Sequence, residues 1–153
     1  MTEGAPSLSP QPAGFSLLEV LVAMTLLALG VLGMGGLQLS VLRSQQDAQF
    51  RTEATLLAAD LLERAIMNRG ESYALAFSAE PPLAPDCLSQ PCTPPQLARF
   101  DLTRWRALLA EALPEGDGAV QETGFNLEVT VRWRAAPSQA PTSLSLVTQR
   151  PPP

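Results

Sequence analysis

At 153 residues the chain has room for one domain of ordinary size, and a long apolar stretch near its start leaves a single small globular domain. A formal net charge of -5, with ten dispersed arginines as the basic side chains, argues against a general phosphate-binding surface, so nucleic acid is not an expected partner. Histidine is absent, which removes the commonest general base and metal ligand; most hydrolase and metalloenzyme readings fall with it, and neither metal nor cofactor is expected.

Residues 1–14 are polar and rich in proline, and from Phe15 to Leu42 the chain is almost uninterruptedly apolar. A helix of that length spans roughly 42 Å, more than the ~30 Å of membrane hydrocarbon, so residues 15–42 form a transmembrane segment. A secretory signal peptide shows a different order, with a basic start, a shorter apolar core and a cleavage site after that core. Glu19 interrupts the run, and an ionised carboxylate there costs a few kcal/mol unless it is paired or near the interface. Gly30, Gly33, Gly35 and Gly36 recur inside the segment, and close helix packing and local melting account for them equally well.

Beyond Leu42 the sequence turns polar, with neither Pro nor Gly until Gly70, while Phe50, Ala54, Leu57, Leu61 and Ala65 recur at helical spacing. Residues 43–69 therefore continue the helix outside the membrane, giving a rod of roughly 80 Å. Asp47 with Arg51, and Asp60 with Arg64, stand four apart with the acid first, an order that supports a helix.

Residues 70–134 form the globular part. Pro81, Pro82, Pro85, Pro91, Pro94 and Pro95 oppose regular structure between Gly70 and Pro95 and put Cys87 and Cys92 in a loop. Their spacing suits a small closed ring in an oxidising compartment; such a disulfide stabilises by about 2 kcal/mol, and the Cys-x-x-Cys redox spacing is absent. A helix over 95–113 follows, with Thr93 as N-cap, Pro94 in the first turn, and Leu97, Phe100, Trp105, Leu108, Leu109 and Ala112 mostly on one face. Pro114 ends it. Residues 125–134 alternate, so that Phe125, Leu127, Val129, Val131 and Trp133 share one sheet face, and a shorter strand over 119–122 precedes them. Trp105 and Trp133 read as core. Residues 135–153 are a Pro-rich connection with a last strand over 143–149 and a disordered tail. The fold class is α+β: a long N-terminal helix, a small antiparallel sheet packed on it and one extra helix.

The run Gly14-Phe15-Ser16-Leu17-Leu18-Glu19-Val20-Leu21-Val22-Ala23 resembles the prepilin signature shared by type IV pilins and type II secretion pseudopilins. The resemblance implies a leader over residues 1–14, cleavage by a prepilin peptidase between Gly14 and Phe15, N-methylation of Phe15, and a role for Glu19 in pairing with the terminal amine of a neighbouring subunit. Physically, glycine leaves the scissile backbone unobstructed, and a counter-charge on another subunit is what a carboxylate in lipid requires. A narrower resemblance joins Asp60-Leu61-Leu62-Glu63-Arg64, Asn68-Arg69, Cys87, Cys92, Phe100-Asp101-Leu102-Thr103-Arg104-Trp105, Leu113-Pro114 and Val129-Thr130-Val131-Arg132-Trp133, in that order, to the PilV class of type IV pilus modification proteins.

These resemblances imply a minor pilin that primes type IV pilus assembly at or near the tip. The implied partners are other minor pilins, the major pilin, the prepilin peptidase, the inner-membrane assembly machinery and the lipid bilayer. A pseudopilin of type II secretion is the alternative within the same architecture. A membrane-anchored enzyme would draw on Asp86, Asp101, Glu111, Glu115 and Asp117, which follow no catalytic pattern. An adhesive or DNA-binding tip would draw on Arg99, Arg104, Arg106, Arg132 and Arg134, a set that on a net acidic chain reads as ordinary solvation.

Overall fold

The structure, a computed structural model, describes Gly14 and residues 16–150. It divides into two units, residues 1–43 and residues 44–153.

The first unit is the apolar part of helix α1 (Leu17–Met67). No proline interrupts α1, and the helix runs on through Gly30, Gly33, Gly35 and Gly36. It is long and apolar enough to cross a membrane, and none of its most apolar stretch is buried within the chain. Leucines, valines and methionines are exposed all round from Leu17 to Leu42, the pattern of a helix whose solvent is lipid or another protein.

The second unit holds the rest of α1, helix α2 (Pro94–Ala112), and strands β1 (Asp117–Thr123), β2 (Asn126–Trp133) and β3 (Thr142–Gln149). The strands form an antiparallel sheet in the order β1-β2-β3. Along α1 the sequence places Ala54, Ala58, Leu61, Leu62 and Ala65 on one buried stripe, with Phe50 and Leu57 packed at its margin. This is the expected face, and its members recur at the three-to-four-residue helical spacing. The helix stops at Met67, two residues before the expected boundary, and the Asn68 N–H closes its last turn on the Arg64 carbonyl at 2.9 Å. Of the two expected ion pairs, Asp60 with Arg64 forms at 2.8 Å; Asp47 with Arg51 is not among the ion pairs of the described residues.

Helix α2 begins as the sequence predicts. Thr93 is extended, Pro94 occupies the first turn, and the Gln96 Oε1 accepts the Thr93 N–H at 2.9 Å and the Thr93 hydroxyl at 3.0 Å. Its buried stripe, however, is Ala98, Asp101, Leu102, Trp105 and Leu109, so the face is rotated from the expected one. Leu97 is exposed, and Phe100 and Leu108 are only half-buried; Trp105 and Leu109 belong to both faces, and Ala98, Asp101 and Leu102 take the places of the others. The Trp105 Nε1–H donates to the Leu57 carbonyl of α1 at 3.0 Å, which gives a deeply buried indole its polar partner. Gly118 on β1 is required by that ring: a Cβ there would overlap the indole and stand 2.8 Å from Leu109 Cδ1.

On β2, Leu127, Val129, Val131 and Trp133 all point into the core, each contributing about 1.5–3 kcal/mol by leaving water. Phe125 does not join them. Thr123 pairs with Asn126, so Gly124 and Phe125 are the two-residue loop of the β1–β2 hairpin. Gly124 takes φ +59°, the left-handed value such a loop needs, and Phe125 stands exposed at the tip. Strand β3 covers the expected 143–149 and adds Thr142; its Leu144 and Leu146 are half-buried against the core.

Candidate functional site

The N-terminal site is built on the start of α1. The Ser16 carbonyl accepts the Glu19 N–H at 3.0 Å and the Val20 N–H at 3.2 Å, and Ser16 Oγ accepts the Leu18 N–H at 3.3 Å. Ser16 is thus the residue from which the helix starts, and Glu19 lies in its first turn, where the helix dipole favours a negative charge. Ser16-x-x-Glu19 is itself a helix-start pattern ahead of an apolar run, a signal that the prepilin reading alone does not use. Glu19 is exposed, shares a face with Ala23, Met24 and Leu27, and is the sole charged residue of α1 before Arg43. It makes no ion pair among the described residues. Gly14 is exposed with open space around it. Residues 1–13 and Phe15 lie outside the described residues, so the leader, the Phe15 side of the cleavage point and the methylated amine fall there.

In the globular unit, polar groups gather at three nodes. At the first, Asp101 is 3% exposed within the apolar face of α2. Its carboxylate accepts the Tyr73 hydroxyl at 2.9 Å and the Arg64 Nη1–H at 3.3 Å, while Arg64 Nε–H also reaches Asp60 at 2.8 Å. Asn68 Nδ2 donates to the Tyr73 oxygen at 3.2 Å and to the Pro94 carbonyl at 2.9 Å. Burial pushes the Tyr73 hydroxyl well above the ordinary tyrosine range, helped by the neighbouring Asp101 carboxylate. The hydrogen bond to Asp60 raises the Arg64 guanidinium further. This node ties α1, α2 and the segment after α1 together.

At the second node Asp117 pairs with Arg106 and, at 3.0 Å, with Arg132; it also accepts the N–H groups of Ser78 at 3.0 Å and Gly118 at 2.8 Å. Arg106 further donates to the carbonyls of Ala76 at 2.9 Å and Ala79 at 3.0 Å, and desolvation lowers its pKa. Arg132 lies over the Phe77 ring at 4.4 Å. At the third node Glu122 accepts the Tyr73 N–H at 2.9 Å, the Ser72 hydroxyl at 3.0 Å and the Arg150 guanidinium at 3.3 Å.

The arginines weighed as a basic patch are therefore divided. Arg106 and Arg132 share Asp117, Arg134 pairs with Glu115 at 3.2 Å, and Arg99 and Arg104 stand exposed on α2. The carboxylates weighed as catalytic are likewise dispersed: Asp86 accepts the Leu88 N–H of its own loop, while Asp101, Glu115 and Asp117 serve separate contacts. Among the described residues no cluster of acids and cysteines has the make-up of a metal site.

Cys87 and Cys92 are joined in a disulfide with Cα atoms 5.5 Å apart. The bridge fixes the loop one residue ahead of Thr93, where α2 starts. Sequence reasoning missed Tyr73 and Asp101 as structural centres and missed the extended segment around Leu75, which bridges β1 through Val120. A signal was present: Tyr73, Leu75, Phe77 and Ala79 alternate with exposed residues, as a half-buried strand does.

Comparison with known families bears on both regions. A model of the prokaryotic N-terminal methylation motif matches residues 11–35, the segment that holds Gly14, Ser16 and Glu19. A second model, type IV pilin Tt1218, matches residues 36–103, which include Arg64, Asn68, Tyr73, the disulfide and Asp101. The matches abut, running from residue 11 to residue 103. No curated protein and no solved structure matches the chain. A methylation motif leading into an apolar helix, followed by a small α+β unit whose first part matches the type IV pilin model, supports a type IV pilin, a structural subunit.

Proposed function

We propose that this pilin is a minor, PilV-like subunit that primes type IV pilus assembly and enters the fibre at or near its tip. The observation that carries the reading is Glu19, an exposed carboxylate in the first turn of a helix otherwise uncharged as far as Leu42. In lipid such a charge is costly, and a positive amine on the next subunit offsets that cost. Prepilin peptidase cuts after Gly14 and the new terminus, Phe15, is methylated, giving that amine. Before assembly the chain is a single-pass protein of the inner membrane with a periplasmic head; afterwards it lies in the pilus at the cell surface. Its partners are the major pilin, other minor pilins and the inner-membrane assembly machinery, and its loss abolishes twitching motility.

Mass and N-terminal sequence of the mature protein test the processing step, which gives a chain beginning with methylated Phe15; retention of residues 1–14 refutes it. Deletion with parallel assays of piliation and type II secretion tests the role. Intact piliation with failed secretion would assign the chain to the pseudopilins instead.

A further inference from the structure

The two edges of the sheet are finished differently. Outside β1, Leu75 and Val120 exchange backbone hydrogen bonds at 3.0 and 2.8 Å, and the side chains of Asp117 and Glu122 take the N–H groups of Ser78 and Tyr73. Among the described residues nothing equivalent lies outside β3. The Arg150 N–H donates to the Phe125 carbonyl at 2.7 Å, and these residues continue the register that pairs Asn126 with Gln149. Phe125 with Arg150 is therefore a hydrogen-bonded pair, and in an antiparallel ladder such pairs alternate. It follows that Thr142, Leu144, Leu146 and Thr148 bond to β2, whereas Ser143, Ser145, Val147 and Gln149 turn their N–H and C=O groups away from the sheet.

Exposed edges of this kind normally carry a charge, a proline or a bulge that discourages pairing. β3 carries none of these. Residues 135–149 form the longest uncharged run of the second unit, on a chain whose net charge of -5 makes two copies repel elsewhere. Pro141 and Pro151, which lack the N–H a ladder needs, stand at equal distances on either side of Leu146.

We propose that β3 pairs antiparallel with β3 of a second copy of this chain, about a two-fold axis at Leu146. In that register Ser143 faces Gln149 of the other copy and Ser145 faces Val147, so every outward N–H and C=O of the strand finds a partner. The half-buried Leu146 faces Leu146 of the second copy, and the half-buried Leu144 faces its Thr148. A seam of two strands is smaller than the ~1,200 Å² of a stable interface, so association is weak in dilute solution and shows when copies share a membrane. This inference goes beyond the proposed role in pilus priming and does not rest on it.

Disulfide trapping of the full chain in membrane vesicles tests the register, since both native cysteines are already paired. Leu146→Cys meets itself across the axis and is expected to give a covalent dimer at least tenfold above Ser143→Cys. The Ser143 positions of the two copies are roughly 20 Å apart at ~3.4 Å per residue. Should Leu146→Cys disturb packing, the exposed positions decide: vesicles holding Ser143→Cys with Gln149→Cys give a mixed dimer that neither variant gives alone. Adding Val147→Pro, which removes one outward N–H and no bond to β2, cuts trapping at least fivefold. No dimer from either arrangement, equal trapping of Ser143→Cys alone, or capture of a different chain at Leu146→Cys overturns the proposal.

Discussion

Tyr73→Phe removes one hydroxyl from the Asp101 node and leaves the packing of the ring unchanged. The hydroxyl donates at 2.9 Å to a carboxylate that is 3% exposed, and hydrogen bonds to charged groups contribute about 1.5–3 kcal/mol. Arg64 still reaches Asp101 at 3.3 Å and Asn68 still reaches the Pro94 carbonyl, so the expected loss is about 2 kcal/mol. Both tryptophans of the chain lie in this core, so a urea titration of the detergent-solubilised full chain followed by Trp fluorescence reads the unfolding of this unit. The same residue sets an alkaline limit. Its pKa in the fold lies above its ordinary value of about 10, so above that pH the unfolded chain gives up a proton that the folded chain keeps. The associated stability is complete below pH ~10 and is lost as pH rises toward the folded value. The chain has no lysine or histidine, one tyrosine and no free cysteine, so Tyr73 is the side chain whose ordinary value lies there. Wild type should therefore weaken above pH ~10 while Tyr73→Phe shows no such slope. A variant within ~0.5 kcal/mol of wild type, or a folded-state tyrosine titrating near 10, would refute the reasoning.

Asp117→Ala leaves Arg106 and Arg132 without their shared carboxylate; it should cost roughly 2 kcal/mol in the same titration, less than a fully buried pair because Arg106 keeps two backbone acceptors. Gly118→Ala drives a methyl group into the Trp105 indole, with an expected loss of about 1–3 kcal/mol and a shifted Trp emission. Replacing Cys87 and Cys92 together by Ser should lower stability by no more than about 2 kcal/mol, since the bridge closes a short ring in a surface loop, and proteolysis should then open that loop first. Glu19→Gln keeps the shape and removes the charge; immunoblots of sheared pili against membranes should find the variant in the membrane fraction alone.

Elements with local causes were legible in the sequence. The apolar run and its polar continuation announce α1, the Thr93-Pro94 start and Pro114 bracket α2, and alternation from Leu127 to Trp133 gives β2. Phe125 shows the limit of that rule, because periodicity runs on through a hairpin loop that a single Gly124 creates. Asp101 was illegible for another reason. An acid on an apolar helix face makes sense only through partners 28 and 37 residues away in Tyr73 and Arg64, and nothing in its neighbourhood reports them. The order of the PilV-like residues held a trace of this, since Arg64, Asn68 and Asp101 all meet at one node. At the start of α1, the capping role of Ser16 required the backbone hydrogen bonds.

The seam along α1 is lined by Ala54, Ala58 and Ala65, each at most 1% exposed. Truncation scanning is blind there, because the residue it would introduce is the one already present. Side chains must instead be enlarged, and Ala58→Leu, which inserts volume where a methyl group suffices, would reveal a fit that deletion experiments pass over in silence.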